Sequence, residues 1–406
     1  MTYFATARSS FTGDTMHIQP RRLVSVAAAI SFMGISPLLA FCQSGAEHSP
    51  KFGGEPAITL SRARTGDGAK LEFLSATVLP GRGMDLFQIT AWLPGKGEIP
   101  LLFSPSLEEA EKVFNAPVAP YSTRSFSFGG AFLAPFANRI VGPLSNDGKT
   151  VSFSWDGRPM TLDANWSGKK PGAVPHAIHG LILESKADDV SETTKGGMTT
   201  LSGVIHGGDF GGHWFSKTDL TISIALGSDA VIATIEAINT GNMPEPIGLA
   251  WHPYFNLPSG DRAQARLFIP GDQRTEVNDY DDVFPTGKLL PVQGTSYDFT
   301  SPAGTALKDI YLDDNWTNFK KAADGTFYTE IIDPAAKYGL RITALSKDVN
   351  TIQVYAPPDK AFVVLEPQFN FNDAFGKEWG NADTKMVTIQ PGQSVTWRVR
   401  LELFVP

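Results

Sequence analysis

The stretch "TDLTISIALGSDAVIATIEAINTG", residues 218–241, constrains this chain more than any other. Leu220, Ile222, Ile224 and Leu226 alternate with Thr221, Ser223 and Ala225, and Gly227-Ser228-Asp229 then supplies a turn. Val231, Ala233, Ile235 and Ala237 take up one face of the next segment, with Thr234 and Glu236 on the other. Period-two alternation on both sides of a glycine turn means an antiparallel hairpin with at least one buried face. "AKLEFLSATVLPGRGMDLFQITAWLP" predicts a second pair, bent at Pro80-Gly81. In "MVTIQPGQSVTWRVRLELF" the pattern recurs, with a turn at Pro391-Gly392 and Val395, Trp397, Val399, Leu401 and Leu403 on one face. The 39 glycines and 29 prolines suit a turn-rich β chain, because both residues interrupt helices. Helical signal is confined to "SPSLEEAEKVF", where a Ser or Pro start precedes Glu108, Glu109 and Glu111, acids that a helix N-terminus favours. No internal repeat or long linker divides the chain. The expectation is an all-β fold over 51–406, one large antiparallel domain with two sheet layers packed face to face.

The first fifty residues read differently. Arg21-Arg22 precede the apolar run "LVSVAAAISFMGISPLLAF", and small or polar residues follow, the layout of a secretory signal peptide. The run is close to membrane-spanning length, but Ser25, Ser31, Gly34, Ser36 and Pro37 interrupt it, which favours export to the periplasm or the extracellular space. "PRRLVSV" is a weak twin-arginine signal. "LLAFC" resembles a lipoprotein signal ending at Cys42, although Phe41 stands where a small residue is usual, and Met16 is a candidate start. Membrane contact is thus expected only through an uncleaved or lipidated N-terminus. Cys42 is the single cysteine, which excludes an internal disulfide. With a net charge of −8 and no basic cluster beyond the N-terminus, the chain has no electrostatic case for nucleic acid.

Four stretches place polar groups inside apolar surroundings. "GGAFLAPFANRIVGPL" carries Asn138 and Arg139, and a guanidinium there needs acceptors from a ligand or from a structural ion pair. "PHAIHGLI" sets His176 and His179 three apart, but Pro175 and Gly180 argue against the helix that would aim both at one metal, and no third ligand follows by spacing. His206 and His213 lie in a glycine-rich loop. "LAWHPYFNLPSG" holds His252 among aromatics, and "FVVLEPQFNFNDAF" ends an apolar run at Glu366. Each alone is as well explained by a satisfied structural role. A glutamate together with two histidines, however, supplies both halves of general acid–base chemistry near neutral pH.

In chain order, "NRI" at 138–140, "HG" at 179–180, "WHPYFNL" at 251–257 and "LEPQ" at 365–368 resemble elements of the aldose 1-epimerase (galactose mutarotase) family, as does the closing "PGQSVTWRVRLEL". The resemblance implies a large antiparallel β supersandwich with an open sugar cleft, and interconversion of the anomers of free aldoses without a cofactor or a metal. It implies that His252 protonates the ring oxygen, that Glu366 takes the C1 hydroxyl proton, and that His179 is the second histidine near the anomeric centre. Arg139 would hold sugar hydroxyls, with Asn138 and Tyr254 lining the site. The aspartate that grips hydroxyls remote from C1 maps to Asp313 in "LDDNWTNF", or to Asp314 if the register is off by one. "VYAPPDKAF" departs from the Tyr-Thr-Gly-Asn of many relatives, and "DFGGHWF" and "DRAQARLF" are further departures near the cleft, so substrate identity is more open than reaction type.

Other function classes stay in view: a non-catalytic carbohydrate-binding protein, a lyase or glycosidase on a related scaffold, and an epimerase of phosphorylated hexoses. A pure binder has no need of Glu366 opposite His252. A glycosidase wants two carboxylates, and a phosphosugar wants extra cations. No phosphate-binding or dinucleotide fingerprint is present, since "PGRGMD" lacks the spacing and the following helix. The expected partner is a small aldose, bound by a monomer or dimer.

Overall fold

In the computed structural model, residues 49–66 and 68–406 are described; the expected signal segment, Met16 and Cys42 fall outside them. Thr218–Leu226 pairs with Val231–Asn239 in the register that alternation demands, with Leu220 opposite Ala237, Ile222 opposite Ile235 and Ile224 opposite Ala233. All six side chains are buried. At about 1.5–3 kcal/mol for each large aliphatic removed from water, a one-residue slip that exposed this face would be prohibitive.

Two large antiparallel sheets carry the fold. One has nine strands in the spatial order Asp188–Lys195, Met198–Gly208, Thr218–Leu226, Val231–Asn239, Ser394–Phe404, Tyr338–Ala344, Phe327–Asp333, Arg266–Phe268, Thr305–Ala306. The other has seven: Pro285–Pro291, Gly271–Val277, Leu312–Phe319, Thr351–Ala356, Phe362–Gln368, Ala250–Asn256, Gly130–Leu133. Ile222, Ile235 and Trp397 of the first share a core with Trp251, Phe255, Val363 and Leu365 of the second. The indole N–H of Trp397 also donates to the carbonyl of Pro367 at 3.0 Å, tying the sheets together beside Glu366. A four-stranded sheet, in which Glu72–Leu79 pairs with Asp85–Leu93 as expected around the Pro80-Gly81 bend, adds Phe73, Leu86 and Ile89 to the same core.

The C-terminal expectation needs correction. The chain turns at Pro391-Gly392, but Val387–Ile389 pairs with Glu245–Ile247, and Ser394–Phe404 lies between Val231–Asn239 and Tyr338–Ala344. Its apolar face satisfies either arrangement, and the longer neighbours bury more of it. The helix forms as Leu107–Phe114, with a reciprocal capping box between Ser106 and Glu109 that satisfies otherwise unpaired N–H groups.

Candidate active site

The strands of the seven-stranded sheet explain how one chain sends tryptophan inward and histidine outward. Successive side chains alternate between faces, so Trp251 and Phe255 enter the core while His252 and Tyr254 stand on the other side. Ala250 opposes Gln368 and Tyr254 opposes Val364, a register that sets His252 directly across from Glu366. On the far side of Glu366 lies Gln353, its partner in the next strand. Asp313 opposes Tyr355 one strand further on. Four adjacent strands thereby contribute His252, Tyr254, Glu366, Gln353, Tyr355 and Asp313 to one cleft of about 220 Å³.

The remaining side chains arrive from a small two-stranded ribbon in which Arg139 opposes Ile178. The residues just outside it, Asn138 and His179, both adopt the left-handed backbone region (φ 61° and 62°), and the His179 N–H donates to the Asn138 carbonyl at 2.9 Å. Asparagine and histidine enter this region more readily than most non-glycine residues, and such conformations gather at functional sites. Asn138, Arg139 and His179 all line the cleft.

Four polar side chains close into a ring. Arg139 Nη1 donates to Asn138 Oδ1 (2.9 Å), Asn138 Nδ2 to Gln353 Oε1 (3.0 Å), and Gln353 Nε2 to Asp313 Oδ1 (2.7 Å). Asp313 Oδ2 lies 3.7 Å from Arg139 Nη2. Asn315 Nδ2 adds a second donor to Gln353 Oε1 at 3.2 Å. The ring settles the register of "LDDNWTNF": Asp313 faces the cleft. Asp314 turns away, to Arg274 Nη1 at 2.9 Å and the Tyr280 hydroxyl at 2.8 Å.

His252 Nε2 and Glu366 Oε2 are 3.7 Å apart, facing each other without a hydrogen bond. Neither Glu366 oxygen, nor His252 Nδ1, nor His179 Nδ1 has a partner in the protein, although all are buried. Burial pushes the Glu366 carboxyl well above its usual range, reinforced by Asp313 and opposed by Arg139. Burial pulls His252 down to about 4, with Arg139 adding repulsion, and it holds His179 well below an ordinary imidazole, with His252 and Arg139 adding repulsion. Burial thus favours the neutral carboxyl and the neutral imidazole in the ligand-free pair. The His179 ring meets that of His252 edge to face at 4.9 Å and that of Phe126 at 4.4 Å.

All seven residues expected at the site, Asn138, Arg139, His179, His252, Tyr254, Asp313 and Glu366, line this one cleft. His176 does not; its Nδ1 lies 2.8 Å from the Val174 carbonyl and its ring packs on Phe284. His206 pairs with Asp219, and His213 contacts the Thr161 carbonyl. Among the described residues no cluster of three or more histidine, cysteine or acidic side chains is set to hold a metal. The departures at 209–215 and 261–268 contribute no lining residue, whereas Tyr355, ahead of Ala356-Pro357, does. Sequence inspection overlooked Gln353, Phe126, Trp166, Tyr280 and Tyr311, which also line the cleft. Gln353 had a signal, since it interrupts the apolar "TIQVYA" in phase with Tyr355.

Residues 104–402, more than half of the chain, match the family model described as aldose 1-epimerase. The human galactose mutarotase is 24% identical over 192 residues, 46% of this chain and 52% of that protein, so the match spans about half of that relative's length. Among solved structures, a galactose mutarotase-like protein from Clostridium acetobutylicum is similar at a TM-score of 0.65 and 15% identity, covering 86% of this chain and 99% of that one. An aldose epimerase homologue from C. elegans is similar at 0.62 and 19%, with 86% and 99% covered. The two structures share the supersandwich fold with this protein, and the family match extends through every segment that builds the cleft. The chain belongs to the aldose 1-epimerase family.

Proposed function

We propose that this protein interconverts the α and β anomers of free aldoses by acid–base ring opening and reclosure. The observation that carries the proposal is His252 opposite Glu366 at 3.7 Å, inside a cleft whose Arg139–Asn138–Gln353–Asp313 ring offers fixed donors and acceptors to hydroxyls. Sugar hydroxyls would supply the donors that the Glu366 oxygens lack, which favours the carboxylate and moves the single proton to His252. The C1 hydroxyl then gives its proton to Glu366 as the C1–O5 bond breaks and His252 protonates O5. The products are an open-chain aldehyde, a neutral imidazole and a protonated carboxyl. That neutral pair is the state burial prefers, so ring opening relieves two buried charges. Rotation about C1–C2 presents the other aldehyde face, and the reverse proton transfers close the ring. His179 would hydrogen-bond near C1, and Arg139 and Asp313 would grip hydroxyls remote from it.

No metal or nucleotide enters these steps. An acid and a base each contribute about 10²–10⁴-fold when correctly placed, and mutarotation already proceeds in water. NMR exchange spectroscopy on an aldose panel tests the proposal. His252→Ala and Glu366→Gln should each lose at least about 10² in kcat while keeping the wild-type fold. Exchange no faster than buffer for every sugar would refute it. We also propose export, supported by the basic, apolar and polar order of residues 21–50, and checked by cell fractionation of the full chain.

A further inference from the structure

The two imidazoles of the cleft lack the support that histidines of this kind ordinarily have. The second ring nitrogen usually makes a hydrogen bond that sets tautomer and orientation, yet Nδ1 of His252 and Nδ1 of His179 are both buried without a partner. What touches the rings instead is aromatic. Phe126 meets His179 edge to face at 4.4 Å and lies 5.5 Å from His252, its plane tilted by 51°. Tyr254 lies 5.0 Å from His252, and Trp166 backs Phe126 at 5.5 Å. Among the described residues, Phe126 alone sets a carbocyclic ring against both imidazoles.

Phe126 comes from a turn outside both large sheets, and that turn is anchored. The Ser127 N–H donates to the Arg124 carbonyl at 3.0 Å. The buried Ser125 hydroxyl donates to Glu184 at 2.9 Å and accepts from Arg82 Nη1 at 3.3 Å. Arg82 is itself pinned, to Glu184 at 3.1 Å and to the Phe114 carbonyl at 2.8 Å. Behind the ring stand Ala131, Leu133, Ile178 and Leu183, a small core of its own. A ring packed this closely resists displacement, and so resists both rotation of the imidazoles and entry of water beside them.

We infer that Phe126 is a positioning residue for the proposed reaction: its ring orients the His252 and His179 imidazoles and shuts water out beside them, in place of hydrogen-bonded acceptors. The inference rests on the epimerase proposal. An acceptor at Nδ1 would favour the protonated ring. An aromatic wall fixes orientation without doing so, which suits a group that must give its proton to O5. The charged and titratable groups facing His252 are Glu366 from the next strand, with Asp313 beyond it, Arg139 and His179 from the ribbon, and Tyr254 from its own strand. The strand on its other side presents Ala131. A change at Phe126 leaves every one of these groups in the chain, so a change in His252 titration reports the shielding.

The test combines anomer-exchange kinetics with NMR titration of the His252 ring protons in the ligand-free protein, assigned by their absence in His252→Ala. Phe126→Ala should lower kcat about tenfold or more, since a misplacement of about 1 Å can cost 10²-fold, and leave KM within about threefold. It should also raise both the acid limb of the rate and the His252 titration by about one pH unit or more, as water reaches the ring. Phe126→Leu keeps apolar volume but no ring edge, so its titration should stay within about half a unit while kcat still falls about threefold. A raised KM with kcat and titration unchanged would make Phe126 a mere wall of the cleft and overturn the inference, as would wild-type constants throughout. Should the alanine variant not fold, the leucine variant decides, and wild-type kcat there overturns the role of the ring. A wild type that turns over no sugar would instead refute the epimerase proposal. Titration would still decide the shielding: an upward shift in Phe126→Ala supports it, and an unmoved curve refutes it.

Discussion

Replacing Gln353 with leucine isolates what the polar ring does. The substitution preserves approximate volume and strand position but removes three hydrogen bonds, at 2.7 Å to Asp313, 3.0 Å to Asn138 and 3.2 Å to Asn315. The bond to the carboxylate is worth about 1.5–3 kcal/mol and the two neutral ones about 1 kcal/mol each. Asn138 and Asn315 are buried and lose their acceptor outright, whereas the Asp313 side chain is 14% exposed and recovers some hydration. A net loss of about 3 kcal/mol follows. With an unfolding entropy near 2.1 cal/mol/K per residue, a domain of roughly 350 residues should lose about 4 °C in Tm. Sugar affinity should suffer separately: in the proposed role of Asp313, release from Gln353 weakens its grip on hydroxyls, and about 1.4 kcal/mol of lost binding is a tenfold rise in KM. The kcat should change less than threefold, because no hydrogen bond joins the Gln353 side chain to His252 or Glu366. Gln353→Glu keeps the acceptor for both asparagines but sets two carboxyls 2.7 Å apart, which forces them to share a proton. Its KM should therefore improve as pH falls, which the leucine variant cannot reproduce. Anomer exchange measured across sugar concentration, beside thermal unfolding, reads both quantities. A lowered Tm with unchanged KM would show that Gln353 is structural only, and a collapse of kcat at constant KM would place it in the chemistry instead.

Other perturbations probe the rest of the molecule. The rate should show a plateau above pH 5 and an acid limb centred near His252's pKa of about 4, where a second proton enters the cleft and removes the base; an acid limb near 6.5 would contradict this burial effect. Asp85 is buried beneath the Gly130 N–H, and desolvation raises its carboxyl from 3.8 to about 7. Because the folded value is the higher one, stability present below 3.8 is lost as pH rises through about 7, a span worth roughly 4 kcal/mol. Asp85→Asn should flatten urea-unfolding free energies across that range, and an unchanged slope would refute the assignment. A Cβ on Gly130 would lie 2.4 Å from Trp251 Nε1, whose N–H donates to the Gly130 carbonyl. Gly130→Ala should cost about 1–3 kcal/mol from overpacking and lower kcat by shifting the strand that carries His252; wild-type Tm and kcat together would show that the strand relaxes freely.

Periodicity determined the layers without help from tertiary information. In 218–239 every apolar residue assigned to a face is buried on it, because alternation has a single period and a slip inverts the whole strand. The candidate site residues were legible where polar groups interrupt such runs, as His252 and Glu366 do, and because short ordered motifs resemble a known family. Strand partners were less legible. Val387–Ile389 pairs with Glu245–Ile247 and not across the Pro391-Gly392 turn, since an apolar face specifies burial but not which neighbour provides it. The choice between Asp313 and Asp314 likewise belonged to the folded chain: two adjacent carboxylates must point apart, and the positions of Gln353, Arg139 and Arg274 decide which one meets the cleft. Tyr280, Tyr311 and Trp166 gave no signal at all, being loop or strand-end residues that gather only when the sheet is assembled. Sequence alone set the faces and supplied the proposed acid–base pair; tertiary structure set the register that brings His252 opposite Glu366, because that contact depends on hydrogen bonds between strands more than a hundred residues apart along the chain.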